Sequence, residues 1–155
     1  MMDNLGPNAR KARALAVLVP AALLGGAYVS QYAFGLPPCE MCWWQRYPHF
    51  AAVGVGLFAY VLKPAQVWTA LAGLAILTSG LIGGFHAGVE YGWWDGITGC
   101  AAPMAGVDVL DFNAAPLIRC DVAPWTLLGI SLAGFNFLIS TVSGAAIVAL
   151  AAYRK

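Results

Sequence analysis

Residues Val67–Val89 read VWTALAGLAILTSGLIGGFHAGV, and no acid or base occurs anywhere between Lys63 and Glu90. An α-helix needs about 20 predominantly apolar residues to cross the hydrocarbon core of a bilayer. Three further stretches have the same character. No charged residue lies between Arg13 and Glu40, between Arg46 and Lys63, or between Asp121 and Arg154. The expected spans are Ala14–Phe34, Met41–Leu62, Val67–Val89 and Pro124–Ala152. The gap after Arg46 is the shortest. It reaches spanning length only if its helix begins near Cys42 and Arg46 snorkels to the interface. The predicted fold class is an all-α integral membrane protein, a four-transmembrane-helix bundle forming one domain over residues 1–155.

Composition supports that class. The chain is 61% hydrophobic and 10% charged, where a soluble domain carries about 25% charge. Its formal net charge of +1 gives nucleic acid no electrostatic hold. The basic cluster Arg10, Lys11 and Arg13 before an apolar run resembles a secretory signal, but the run is too long for one and three more spans follow. The first span is therefore expected to be retained. Arg10, Lys11, Arg13, Lys63, Arg154 and Lys155 all fall on one side of the four spans. By the positive-inside rule that side is the cytoplasm, which also receives both termini. The opposite side receives Glu40, Glu90, Asp95, Asp108, Asp111, Asp121 and all four cysteines. The expected location is a bacterial inner membrane, with the cysteines facing an oxidising periplasm.

The turn near Lys63-Pro64 is short, so spans two and three should pack as antiparallel neighbours. Glycines punctuate every span, among them Gly73, Gly80 and Gly144, and small residues let membrane helices approach closely. All six tryptophans fall near expected helix ends, as in an aromatic belt. The outer side has a short loop at about 35–40 and a long one at about 90–123. The middle of the long loop, Met104–Phe112, mixes apolar and acidic residues and is expected to lie on the membrane surface.

The short loop carries Pro37-Pro38-Cys39-Glu40-Met41-Cys42, followed by Arg46. Proline suits a helix start, where its missing N–H does no harm. Cys42 is expected in the first turn of span two, where free N–H groups and the dipole favour a thiolate. Arg46 follows one turn later on the same face. Its guanidinium could steady the sulfur, a quinol oxygen or a lipid phosphate. A purely structural bridge across so small a loop contributes roughly 2 kcal/mol, whereas tight CxxC rings suit redox exchange. Haem attachment wants histidine after Cys42, where Trp43 stands, and zinc wants a second closely spaced pair. No metal is expected. Cys100 and Cys120 share the long loop, and a bridge between them contributes roughly 3 kcal/mol. Spacing alone leaves this pair open to a structural role or to attack by an incoming thiolate.

The combination of Cys39-x-x-Cys42-x-x-x-Arg46, four spans and a Cys100/Cys120 outer loop resembles the disulfide bond formation protein B (DsbB) family. The stretch His86–Trp94 is similar to the family's third-helix end, and Cys120-Asp121 with Pro124-Trp125 to its entry into the fourth helix. The resemblance covers roughly Ala14 to Leu150. Gln45 stands where some members carry an acid. The resemblance implies a protein-dithiol:quinone oxidoreductase, with ubiquinone or menaquinone as cofactor and a periplasmic thioredoxin-fold oxidase (DsbA-like) as partner. Cys100 then takes the mixed disulfide with the partner. Cys120 is freed to attack Cys39, Cys42 is left as a thiolate facing the quinone ring, and Arg46 holds the quinone. Two electrons leave into the membrane quinone pool.

His86, one turn before Glu90, and His49, three residues after Arg46, are further candidates for contact with the quinone, since ionisable groups inside a membrane are functional candidates by default. Two other readings differ in class. A haem-b electron carrier would use His49 and His86 as axial ligands, but leaves the four cysteines without a role. A structural membrane protein with inert disulfides would tolerate loss of Cys42.

Overall fold

The computed structural model describes residues 6–101 and 118–152. Four long α-helices form in chain order: α1 (Pro7–Tyr32), α2 (Glu40–Val61), α3 (Ala65–Glu90) and α4 (Leu132–Ala152). Each packs on the next, and α4 returns against α1 to close the bundle. Three of them, α1, α3 and α4, are long and apolar enough to cross a membrane. The fourth, α2, carries Gln45, Arg46 and His49, and all three are buried inside the bundle. Leu18, Val61, Leu81 and Val142 are among the large apolar side chains exposed on the outside of the bundle. Such a surface suits lipid rather than water.

Charge gaps located the helices but not all their ends. The first helix starts at Pro7, not Ala14, because arginine, lysine and alanine are good helix formers and continue the helix past its apolar part. The second and third agree closely with expectation and are joined by the short turn at Leu62-Lys63-Pro64. The fourth starts at Leu132, not Pro124. Between them a small antiparallel hairpin pairs Thr126 with Ser131 and Leu127 with Ile130, so the described fold is not wholly α. Both loop residues have positive φ, 52° at Leu128 and 79° at Gly129, the pattern that matches strand twist in a two-residue hairpin. The Tyr91 hydroxyl donates to Gly129 O at 3.1 Å and accepts from Ser131 N at 3.0 Å, tying the hairpin to the end of α3. Ser131 Oγ then accepts the N–H of Gly134 at 3.1 Å. A serine in that position satisfies one of the free donors at a helix start, which is why α4 begins just after it.

Close approach of α3 and α4 depends on the glycines. A Cβ on Gly144 would stand 2.8 Å from Leu77 N, and one on Gly80 would stand 2.8 Å from Thr141 N. Backbone cannot yield there as a flexible side chain would. Ala16, Ala52, Ala72, Ile76 and Ile147 fill the middle of the bundle. A second buried cluster joins Cys39, Met41, Val89 and Cys120 at the end where the cysteines gather. The Met104–Phe112 expectation falls outside the described residues.

Candidate functional site

Cys39 precedes α2 and caps it. Its extended backbone turns the sulfur back to accept the N–H of Cys42 at 3.2 Å. The helix-start donor expected to favour Cys42 therefore goes to Cys39. Cys42 is the third residue of α2, and both cysteines are free thiols. Their sulfurs are 2.8 Å apart, with Cys39 as donor. That hydrogen bond, with burial and the neighbouring Cys42 charge, pushes the Cys39 thiol far above its ordinary range. Cys39 therefore holds the proton that the pair shares.

Cys100 and Cys120 form a disulfide with Cα atoms 5.4 Å apart. Cys120 is wholly buried and Cys100 is half-buried. Thr98 Oγ1 sits 3.1 Å from the Cys100 sulfur and 3.6 Å from that of Cys120. The two pairs meet. Cys39 Sγ, Cys120 Sγ and His86 Nε2 all lie within 4.8 Å of one another. A free thiol thus stands within reach of one sulfur of a disulfide, the arrangement that exchange requires. Zinc spacing was not apparent from the sequence, yet these three donor atoms cluster. In this state Cys120 is bonded to Cys100 and offers no thiolate to a metal.

His86 is turned to this junction. Its Nε2 is 3.1 Å from Cys120 O, 3.6 Å from Cys39 Sγ and 3.7 Å from Glu90 Oε1, and its Nδ1 is 2.9 Å from Gln45 Nε2.

Cys42 opens on the other side into a cavity of about 250 Å³ between α1, α2 and α4. Arg46 and His49 line it with Cys42, as their shared helix face predicts, while His86 does not. Arg46 as a whole is 6% exposed, and its guanidinium is held on several sides. It donates to Gln31 Oε1 at 2.7 Å and Ala27 O at 3.2 Å, and it stands 5.0 Å from the Tyr28 ring centre and 4.9 Å from that of Trp43. Leu23, Leu36, Pro37 and Phe135 supply apolar wall. Sequence reasoning noted Gln45 only as a departure from the family pattern and passed over Ser79, Asn136 and Ser140; the four form a hydrogen-bonded network beside His49. Asn136 offered a signal, as the lone amide in the charge-free stretch between Asp121 and Arg154.

The model of the family described as disulfide bond formation protein DsbB matches residues 9–150. The chain belongs to the DsbB family. It is 31% identical to a disulfide bond formation protein B of Verminephrobacter eiseniae, over 92% of this chain and 86% of that one. It is 34% identical to one from an Azoarcus species (84% and 83% of the two chains), and 31% identical to one from a Polaromonas species (83% and 82%). No solved structure gives a significant match. Family membership and the three apolar helices make this a multi-pass membrane protein and a disulfide oxidoreductase.

Proposed function

We propose that this DsbB-family protein reoxidises a periplasmic thioredoxin-fold dithiol oxidase and delivers the two electrons to a membrane quinone. The observation that carries this reading is the meeting of the two cysteine pairs, with the Cys39 and Cys120 sulfurs no more than 4.8 Å apart and Cys42 on a cavity shared with Arg46. All four helices cross the inner membrane as one domain, both termini are cytoplasmic, and the cysteine end faces the periplasm.

The thiol steps balance. A partner thiolate attacks Cys100, the Cys100–Cys120 bond breaks, and Cys120 leaves as thiolate. Cys120 attacks Cys39 of a closed Cys39–Cys42 pair, which releases Cys42 as thiolate at the cavity. The partner's second thiol displaces Cys100 and leaves oxidised. Cys100 then reclaims Cys120 and frees Cys39. The outcome is the state described above, with Cys100–Cys120 closed and Cys39 and Cys42 reduced.

The cavity suits a quinone head. It is largely apolar and bounded by the Arg46 guanidinium, which retains N–H donors beyond those given to Gln31 and Ala27. A quinone held there by Arg46 would supply the acceptor for two electrons and two protons. Arg46 orients a ring oxygen, and Cys42 presents its sulfur. Cys39 completes the disulfide, and its buried thiol, held in the protonated form, surrenders one of the two protons. His86 braces the junction by donating to Cys120 O while its other nitrogen accepts from Gln45.

Quinone-dependent oxidation of a reduced thioredoxin-fold partner by purified protein tests the reading. Turnover should require all four cysteines, and a Cys42→Ser variant should retain its helix content while losing quinone reduction. Near-normal turnover of that variant would overturn the proposal.

A further inference from the structure

Gln45 donates from Nε2 to the backbone carbonyl of Met41 at 3.1 Å. A carbonyl only accepts, so this contact fixes which end of the Gln45 amide carries hydrogen. Gln45 Oε1 then takes a hydrogen bond from Asn136 Nδ2 at 2.8 Å, and the same nitrogen faces Ser79 O at 3.2 Å and Ser79 Oγ at 3.1 Å. Asn136 Oδ1 is therefore an acceptor. It receives Ser140 Oγ–H at 2.7 Å and His49 Nε2–H at 3.0 Å. Ser140 Oγ also lies 3.4 Å from that ring nitrogen, in a position to share its hydrogen. Neutral His49 thus carries its proton on Nε2 and leaves Nδ1 bare. That Nδ1 is buried without any partner. His49 is 3% exposed and lines the cavity beside Cys42 and Arg46.

A bare imidazole nitrogen accepts a hydrogen bond and cannot donate one. A quinone oxygen also only accepts, whereas a quinol hydroxyl donates. The geometry points to His49 as a contact that selects the reduced ligand: Asn136 fixes its tautomer, and a small shift of the ring, which uncovers the buried Nδ1 at the cavity wall, lets that nitrogen receive the hydroxyl of quinol. This inference rests on the proposed quinone site. Its consequence is directional. Cys39 loses its S–H bond and forms one S–S bond with the Cys42 thiolate, and both electrons pass to quinone with the Cys39 proton and a second proton from water. A site that holds quinol more tightly than quinone draws that step forward, and a tenfold preference corresponds to about 30 mV in the bound couple. Asn136 acts here as a positioning residue, through His49.

Dissociation constants of a short-chain ubiquinone and of its quinol test this, measured anaerobically in a Cys42→Ser background that prevents electron exchange. His49→Phe should lose roughly five- to tenfold in quinol affinity, the share of one neutral hydrogen bond, with less than a threefold change for quinone. His49→Asn, which sets an amide oxygen near the place of Nδ1, should keep most of the quinol affinity. Nitrogen-15 spectra of the His49 ring should show a bare Nδ1 and a protonated Nε2 in the otherwise unaltered protein, and mixed tautomers in Asn136→Leu. A protonated Nδ1 in the unaltered protein would overturn the inference whatever the variants do. Equal loss of both ligands in His49→Phe would overturn it and leave the quinone site standing. Failure of either ligand to bind the background protein would remove both.

Discussion

Arg46→Ala removes a guanidinium from the cavity wall. Two of its N–H donors are used by Gln31 Oε1 and Ala27 O, which anchor the plane between the Tyr28 and Trp43 rings. An arginine has five such donors, so the fork can hold a quinone oxygen without abandoning its anchors. A hydrogen bond to a charged group contributes about 1.5–3 kcal/mol, which converts to roughly a ten- to hundredfold rise in apparent KM for quinone. Arg46→Lys should fall between, because an ammonium keeps the charge but loses the planar fork and its stacking. The assay is steady-state oxidation of reduced partner with quinone varied, beside a quinone-free measurement of the first thiol exchange. Only the quinone-dependent step should respond. A KM within twofold of the unaltered protein, or equal slowing of the quinone-free exchange, would refute the assignment of Arg46 to the quinone.

Other consequences are open to measurement. Ser131→Ala removes the hydroxyl that accepts Gly134 N, and loss of such a cap should cost about 1 kcal/mol of stability; an unchanged denaturant midpoint in detergent would contradict it. Gly144→Val drives a side chain against Leu77 N and Gly73 O, and should destabilise the α3–α4 pair by about 1–3 kcal/mol or more, read as a lower thermal midpoint. The Cys39 thiol is pushed up by its hydrogen bond to Cys42 and by burial, so its protonated form persists as pH rises through the ordinary thiol range. Thiolate absorbance of the Cys39/Cys42 pair should therefore not exceed one thiolate up to about pH 9, and two at that pH would contradict the shared proton.

Helices were legible wherever the bilayer imposes a length on apolar sequence. Val67–Val89 was recognisable on that ground, and α3 extends it by little. Helix ends were less legible, because charge marks where lipid stops rather than where hydrogen bonding stops. Arg10, Lys11 and Arg13 continue α1 beyond its apolar part, and the fourth charge-free gap conceals a hairpin set by Leu128, Gly129 and Tyr91. Cys42, Arg46 and His49 share a face because they follow helical spacing, and that much can be read from one segment. The meeting of Cys39 with Cys120 and His86 could not be read that way, since it depends on how α2, α3 and the chain before α4 converge. Asn136 carried a signal in its isolation among apolar neighbours, but its partners Gln45, Ser79 and His49 come from two other helices.

Direct capture of the link between the two pairs tests the central claim most closely. In a Cys42→Ser, Cys100→Ser double variant, only Cys39 and Cys120 remain as cysteines. Mild oxidation in the membrane followed by peptide mass spectrometry should recover a Cys39–Cys120 disulfide within single chains, as expected for sulfurs no more than 4.8 Å apart. Recovery of two free thiols, or of links only between different chains, would contradict electron passage from the outer pair to Cys39.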